Sequence, residues 1–180
     1  VQRGVYEAFV AALRPLVAAS AARPLVTAGQ VEQADRLVKD AAAKGCEVLS
    51  PAGDEGFPPT AILRATPDLA VCREASFAPL LAVVPFDTPA DLIALHDANP
   101  FGLTAAVFTA DPAAAAGLIA RLRCGAVVMN DVIVPTAHPG TPFGGRGASG
   151  WGVTQGAEGL LAMTAVQVVT TRSGTFRPHV

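Results

Sequence analysis

The sequence predicts an α/β fold with a mostly parallel sheet flanked by helices, and three observations lead there. Apolar segments of strand length alternate three times with helical segments between residues 80 and 129, the order required by parallel strands joined by crossover helices. Two helix starts are legible. Thr88-Pro89-Ala90-Asp91 and Asp111-Pro112 each offer a capping oxygen followed by proline at the first helical position. The run 80–86 is apolar throughout, the pattern of a strand buried on both faces.

Each element follows from its residues. Val5, Phe9, Ala12, Leu13 and Leu16 recur at helical spacing, so 5–19 is an amphipathic helix that Pro15 should kink or end. Beyond Pro24, residues 28–43 set Val31, Ala34, Leu37, Val38 and Ala41 on one face and Glu32, Asp35, Arg36 and Lys39 opposite, with Gly45 closing the helix. A short strand is expected at 46–49. The loop 51–59 holds three prolines and two glycines, and its Asp54-Glu55 pair reads as a solvated turn. Strands follow at 60–65 and 80–86, separated by the turn Thr66-Pro67-Asp68. The helix opened at Thr88 runs to about His96 and stops before Asn99-Pro100. Residues 103–109 form a strand, the second capped helix ends around Arg121, Arg123 and Gly125, and 126–129 is again a strand. Residues 140–159 hold eight of the 17 glycines and break the pattern. A short helix at 157–163, a β-branched strand at 166–171 and a tail at 173–180 close the chain.

Composition excludes several function classes. The chain is 51% hydrophobic and only 16% charged, far from the low hydrophobicity and high net charge of a disordered segment. Its net charge is -2, with 13 basic and 15 acidic residues dispersed, so no basic stripe is available to nucleic acid. No apolar run approaches the ~20 residues of a membrane span, and 36 alanines supply much of the apolar fraction. Cys46, Cys72, Cys124, His96, His138 and His179 are scattered, which argues against a metal site. An odd cysteine count without CxxC spacing reads as free thiols in a reducing, cytoplasmic compartment. The chain begins Val1-Gln2-Arg3 without a signal-peptide pattern and is expected to be a piece of a larger protein.

Three local patterns invite chemistry and are answered by their surroundings. Gly145-Arg146-Gly147-Ala148-Ser149-Gly150 matches GxGxxG, but Pro135, Pro139 and Pro142 exclude the preceding strand that a dinucleotide fingerprint needs. A tight turn packed close to its neighbours is the simpler reading. Ser149 does not stand in GxSxG, so no nucleophile elbow exposes it. Cys124 follows a helix C-terminus, where the dipole raises a thiol pKa.

Five segments in order resemble the NAD(P)-dependent aldehyde dehydrogenase superfamily. Tyr6-Glu7-Ala8-Phe9 looks like the helix that follows its catalytic cysteine strand. Phe77-Ala78-Pro79-Leu80 with Val84-Pro85-Phe86 resembles its F-G-P-V…PF stretch. Asn99-Pro100-Phe101-Gly102-Leu103-Thr104-Ala105-Ala106-Val107-Phe108-Thr109 is similar to its N…YGL.A.VFT segment. Cys124-Gly125-Ala126-Val127-Val128-Met129-Asn130 looks like its AG-V-x-VN strand. Pro142-Phe143-Gly144-Gly145, then Ser149-Gly150, Gly152, Gly156, Gly159 and Leu160, resembles its PFGG…SG.G…G..GL signature. The similarity covers residues 5–172.

The resemblance implies a three-layer α-β-α catalytic-domain segment at 1–163 with a mostly parallel sheet, and a C-terminal oligomerisation strand and tail at 164–180. It implies oxidation of an aldehyde to a carboxylic acid with NAD or NADP, through a cysteine thiohemiacetal and thioester. The family's nucleophilic cysteine, glutamate base and dinucleotide-binding half all precede the matching segment. The cysteine would lie just upstream of Val1, no catalytic residue is expected in this chain, and the chain alone should be inactive. Phe77 matches an aromatic that packs near the nicotinamide riboside. Glu74 stands one place before the position of the family's ribose-holding glutamate, which here is Ala75. Asn130 matches the residue ending the strand beside the active site, and Phe143 an aromatic of the substrate tunnel. With Trp151, Phe143 suggests an apolar aldehyde. From the residues alone, Phe77 and Phe143 can also be read as core aromatics, and Asn130 as a residue satisfying turn backbone. Ala78 stands at the glycine of F-G-P, and Gly147 and Val153 at positions commonly Lys and Arg. The implied partners are a small aldehyde, the dinucleotide-binding half, and a second copy through the strand containing Val166 and Thr171. The alternative is a non-catalytic aldehyde-dehydrogenase-like module for assembly or binding. A CoA-acylating or phosphate-reductase relative would need a basic cluster that the sequence does not offer.

Overall fold

A computed structural model describes residues 1–52 and 56–174, so Asp54-Glu55 and the last six tail residues lie outside the described residues. Two helices open the chain, α1 (Arg3–Ala18) and α2 (Ala28–Ala43). Three strands follow, β1 (Glu47–Leu49), β2 (Thr60–Leu63) and β3 (Leu80–Val83), with a 3-10 turn at Ala70–Cys72 before β3. They form one sheet in the order β1-β2-β3, antiparallel at the first pairing and parallel at the second. Helix α3 (Pro89–Ala98) leads to β4 (Phe101–Gly102) and β5 (Thr104–Val107), then α4 (Pro112–Ile119) and β6 (Ala126–Met129). The glycine-rich region contains α5 (Val134–Ala137), β7 (Arg146–Gly147) and α6 (Gly156–Ala162).

The α/β class holds, but the sheet is divided. β5 and β6 pair in parallel, β4 and β7 pair antiparallel, and neither pair joins the three-stranded sheet. Residues 164–173 are in no helix or strand. A strand exists only against a partner, and the described chain sets none beside 166–171. Val166, Val168 and Val169 are 94%, 83% and 78% exposed.

The core is built on β2, all four of whose residues are buried. Strand side chains alternate between faces. Ala61 and Leu63 meet Tyr6, Val10 and Val17 of α1, while Ile62 meets Ala41 of α2 with Ala65 and Leu69. β2, not 80–86, is therefore the strand covered on both faces. β3 has one neighbouring strand, and its Leu81 is 46% exposed. An apolar run shows that a segment tolerates burial, not which neighbour supplies it.

α1 departs from expectation in a similar way. The buried stripe is Tyr6, Val10 and Val17, with Leu13 packed alongside, whereas Val5, Phe9 and Leu16 are exposed. The helix carries two adjacent apolar stripes, and periodicity alone does not choose between them. It also runs through Pro15 to Ala18, and Ala19 N–H closes the final turn on Pro15 O at 3.0 Å. Proline removes one hydrogen bond to the preceding turn, which the helix tolerates within a turn of its end.

Tyr6 supplies the polar tie between α1 and the sheet. Its hydroxyl oxygen accepts from Arg64 N–H at 2.6 Å, just where β2 ends on Arg64 at φ 55. The same hydroxyl donates to Val83 O at 3.4 Å, a carbonyl that also accepts from Ala65 N–H. Tyr6→Phe strands the Arg64 donor but leaves Val83 O paired. The expected loss is about 1–2 kcal/mol, the cost of one unsatisfied donor in a part-buried bond. Urea unfolding checks it, and a loss below about 0.5 kcal/mol would mean that water reaches Arg64 N–H.

Local signals set the helix starts. Thr88 and Asp91 form a reciprocal capping box, Asp91 N–H to Thr88 Oγ1 at 3.2 Å and Thr88 N–H to Asp91 Oδ2 at 2.8 Å. Asp111 Oδ1 accepts from Ala113 and Ala114 N–H at 3.1 and 3.0 Å. Thr27 and Gln30 make a second capping box at the start of α2, a T-x-x-Q spacing that carries its own signal in the sequence. Gly45, at φ +82, lets the chain turn out of α2.

Candidate functional site

Three places carry the residues singled out from the sequence: the loop 73–79 before β3, the C-terminal end of β6, and the hairpin 143–154. The first lies along α2. Arg36 and the Glu74 carboxylate form an ion pair, Gln33 Nε2 donates to Ala75 O at 3.2 Å, and Gln30 Nε2 donates to Phe77 O at 3.5 Å. Farther along the helix, Asp40 Oδ2 accepts from Ala70 N–H at 3.2 Å. The Lys44 ammonium, then that N–H, hold the Asp40 carboxyl below the usual carboxylate range. Phe77 stands at φ 49 with the residue 83% exposed, so its ring is not a core aromatic within the described chain. Glu74 also borders a cleft of about 400 Å³ shared with Cys72, Val84, Phe86, His96 and Phe101. His96 has a structural partner there, since its Nε2 accepts from Arg123 N–H at 2.7 Å.

Asn130 ends β6 at φ 54. Its side-chain amide meets the main chain of Thr109 twice: Oδ1 accepts from Thr109 N–H at 2.8 Å, and Nδ2 donates to Thr109 O at 3.0 Å. Its own N–H donates to Val107 O at 2.9 Å. The amide thus adds a side-chain rung beyond the β5–β6 ladder. Asn130→Ala removes both bonds and leaves a Cβ residue in the left-handed region, so a loss of about 1–3 kcal/mol is expected. Asn130→Gly loses the bonds without the strain and should cost less. Equal losses in urea unfolding would show that strain plays no part.

The hairpin opens and closes on main chain. Phe143 N–H donates to Thr154 O at 2.8 Å and Thr154 N–H to Phe143 O at 2.7 Å. Phe143 is half-buried, whereas Trp151 is 97% exposed between Gly150 and Gly152, both at positive φ. The GxGxxG segment is a tight turn in which Ser149 N–H reaches Arg146 O at 3.2 Å and Gly150 N–H reaches Gly147 O at 3.2 Å. No helix opens after it, and Ser149 Oγ accepts from Gly102 N–H at 3.0 Å. Gln155 follows at φ 67 and anchors the hairpin by donating from Nε2 to Thr136 O at 3.2 Å.

Phe143 and Trp151 therefore share one hairpin, and Asn130 follows β6, just ahead of which Gly125 backs onto that hairpin at Gly144. Phe77 and Glu74 stand on a separate loop. Sequence reasoning missed Thr109, Gln30, Gln33 and the part played by Arg36. The i, i+3, i+6 spacing of the last three on α2 is the signal that marks them as one stripe.

Cys72 and Cys124 are not placed as activated nucleophiles. Burial pushes the Cys72 thiol up, with nearby Asp68 adding to the rise. Burial also raises the Cys124 thiol, which is 5% exposed and donates to Ala126 O at 3.3 Å. Among the described residues, no group of three or more His, Cys, Asp or Glu stands together to hold a metal ion, and no helix is long and apolar enough to cross a membrane.

Known proteins resemble the chain along almost its whole length. It is 34% identical over 152 residues to 4,4'-diapolycopene aldehyde oxidase of Methylomonas sp, covering 83% of this chain and 29% of that protein. The crystal structure of an NAD-dependent aldehyde dehydrogenase from Sinorhizobium meliloti superposes with a TM-score of 0.83 at 27% identity, covering 97% of this chain and 38% of that one. An aldehyde dehydrogenase of Mycobacterium tuberculosis, solved in complex with NAD+, gives 0.80 at 26% identity, covering 89% and 36%. The chain thus spans less than two-fifths of the length of these relatives. The sequence profile of the aldehyde dehydrogenase family matches residues 1–169. With a match of that extent and a backbone that superposes on solved members, the chain belongs to the aldehyde dehydrogenase family.

Proposed function

We propose that this chain is part of an enzyme that oxidises an aldehyde to a carboxylic acid with NAD or NADP. The observation that carries the reading is the family match over residues 1–169, joined to a similar structure solved with NAD+. In the proposed reaction a cysteine thiolate attacks the aldehyde carbon, the thiohemiacetal loses hydride, and water cleaves the resulting thioester to the acid. The nicotinamide, when bound, supplies the hydride acceptor. The raised thiols of Cys72 and Cys124 argue against either as the nucleophile. We assign no catalytic residue to residues 1–180, and the chain alone is expected to be inactive.

The residues of the chain fit the cofactor in part. The exposed Phe77 can lie against a flat ring. Glu74 is already paired with Arg36, and Ala75 has no carboxylate, so the ribose hydroxyls would find no free carboxylate on this loop. Asn130, Phe143 and Trp151 belong to the substrate side, with Phe143 and Trp151 favouring an apolar aldehyde. Residues 1–163 are the catalytic-domain segment and 164–180 the oligomerisation strand and tail, in a cytoplasmic protein. The exposed valines of 166–171 suit a segment that pairs with another copy, and light scattering on the complete protein should give a dimer or tetramer.

The test is NADH or NADPH production by the complete protein with a panel of short, aromatic and long apolar aldehydes. Turnover that disappears when a cysteine outside this chain is replaced supports the reading. Turnover that persists without that cysteine sinks the mechanism. The lack of a free carboxylate on the Phe77 loop favours one other reading, a non-catalytic assembly or binding module. A folded oligomer that neither binds cofactor nor turns over would establish it.

A further inference from the structure

We propose that Gln30, Gln33 and Arg36 form a strut that sets the position of Phe77, with Arg36 a positioning residue for the cofactor through Glu74. The inference rests on the cofactor reading above. With Asp40, the three recur at i, i+3, i+6 and i+10 on α2, so they run along one face of the helix. The segment they hold runs in the opposite direction. Asp40 takes Ala70 N–H, Arg36 the Glu74 carboxylate, Gln33 Ala75 O and Gln30 Phe77 O. Each successive contact ties a later residue of the segment to an earlier residue of the helix.

Phe77 is where such a strut matters. Its φ of 49 is a backbone region that a Cβ disfavours. Such a conformation persists when the surroundings over-determine it. With Phe77 83% exposed, the ring's own packing does not hold the loop. The ties fall on the main chain at Ala75 and Phe77 and on the Glu74 carboxylate, with Ser76 Oγ adding an acceptor for Ala78 N–H at 3.3 Å. Gln30 is itself fixed, because its Oε1 accepts from Thr27 N–H at 3.1 Å in the capping box. The helix start and the loop tip are therefore linked through one side chain. Glu74 acts here as the strut's anchor, and the loop offers a cofactor the Phe77 ring without a competing carboxylate.

The experiment uses the complete protein and two variants, R36A and R36K. Two quantities are read: the dissociation constant for NADH by fluorescence titration, and hydrogen–deuterium exchange of the amides of residues 74–78. R36A is expected to weaken NADH binding about two- to fivefold, the worth of the one exposed ion pair it removes. It should speed exchange at 74–78 while leaving the middle of α2 unchanged, and R36K, which keeps the charge, should recover most of both. Wild-type binding of NADH together with an R36A protein unchanged in affinity and loop exchange would overturn the strut and leave the cofactor reading standing. A wild-type protein that binds neither NADH nor NADPH would defeat the cofactor reading and this proposal together.

Discussion

Gly125→Ala is expected to dislodge the hairpin 143–154 and to destabilise the protein by more than about 3 kcal/mol, the upper end of ordinary overpacking costs. A Cβ at residue 125 would lie 1.6 Å from Gly144 O and 2.7 Å from Gly144 C, with Leu103 O at 3.1 Å. These are main-chain atoms, so no rotamer change relieves the contact. Gly125 N–H is also held by Gly102 O at 3.0 Å and Leu103 O at 3.1 Å, which keeps residue 125 from backing away. The hairpin is the part that must move, and Phe143 moves with it. Urea unfolding would read the loss of stability, and hydrogen exchange at Phe143 and Thr154 N–H would locate it. A variant with wild-type stability would mean that the hairpin swings away from residue 125 without cost.

Ile62→Ala should cost about 3–5 kcal/mol, the upper half of the range for emptying a core site. Ile62 is fully buried at the centre of β2, between Val48 of β1 and Ala82 of β3 in the register. Its cluster includes Ala41 and Ala65. The two alanines have no side-chain torsion that could swing into the vacated space, which leaves Leu69 as the buried neighbour able to relax into part of it. Ile62→Val, which removes one methylene, should cost only about 0.5–1.5 kcal/mol. Denaturant titration of both variants gives the comparison, and a loss of about 1 kcal/mol for the alanine variant would show that the sheet collapses onto the site.

What was legible in the sequence is what is decided within a few residues. The starts of α3 and α4 follow from Thr88, Asp91 and Asp111, whose capping bonds span two or three positions. The bounds of α2 follow from its apolar face and Gly45. The GxGxxG stretch was readable as a turn because three nearby prolines excluded a strand ahead of it, but the pairing of its Arg146 and Gly147 with β4 was not readable. Strand assembly was not readable, because pairing joins residues far apart. Whether 80–86 lies at a sheet centre depends on what stands beside Leu81, and whether Phe9 or Val10 is buried depends on where β2 passes. The site divides the same way. Phe77, Asn130 and Phe143 were found through family motifs, but the partners of their segments were not. Glu74 and Arg36 are 38 residues apart, and Asn130 and Thr109 are 21 apart. Nothing local to Glu74 announces that its carboxylate is engaged.

In and around the hairpin, glycines meet main chain directly. Gly102 sits against Arg123 O, Gly125 against Gly144 O, Gly144 against Gly152 O, Gly145 against Ser149 O and Gly147 against Pro100 O, each too close to admit a Cβ. The side chains of Arg146, Ala148 and Trp151 stand on exposed residues of the same hairpin and take no part in these approaches. The corner therefore separates shape from surface chemistry. Mutation can rewrite the charge, bulk and polarity shown to whatever approaches the hairpin while its scaffold is inherited unchanged, and new preferences can arise there without a compensating change elsewhere in the fold.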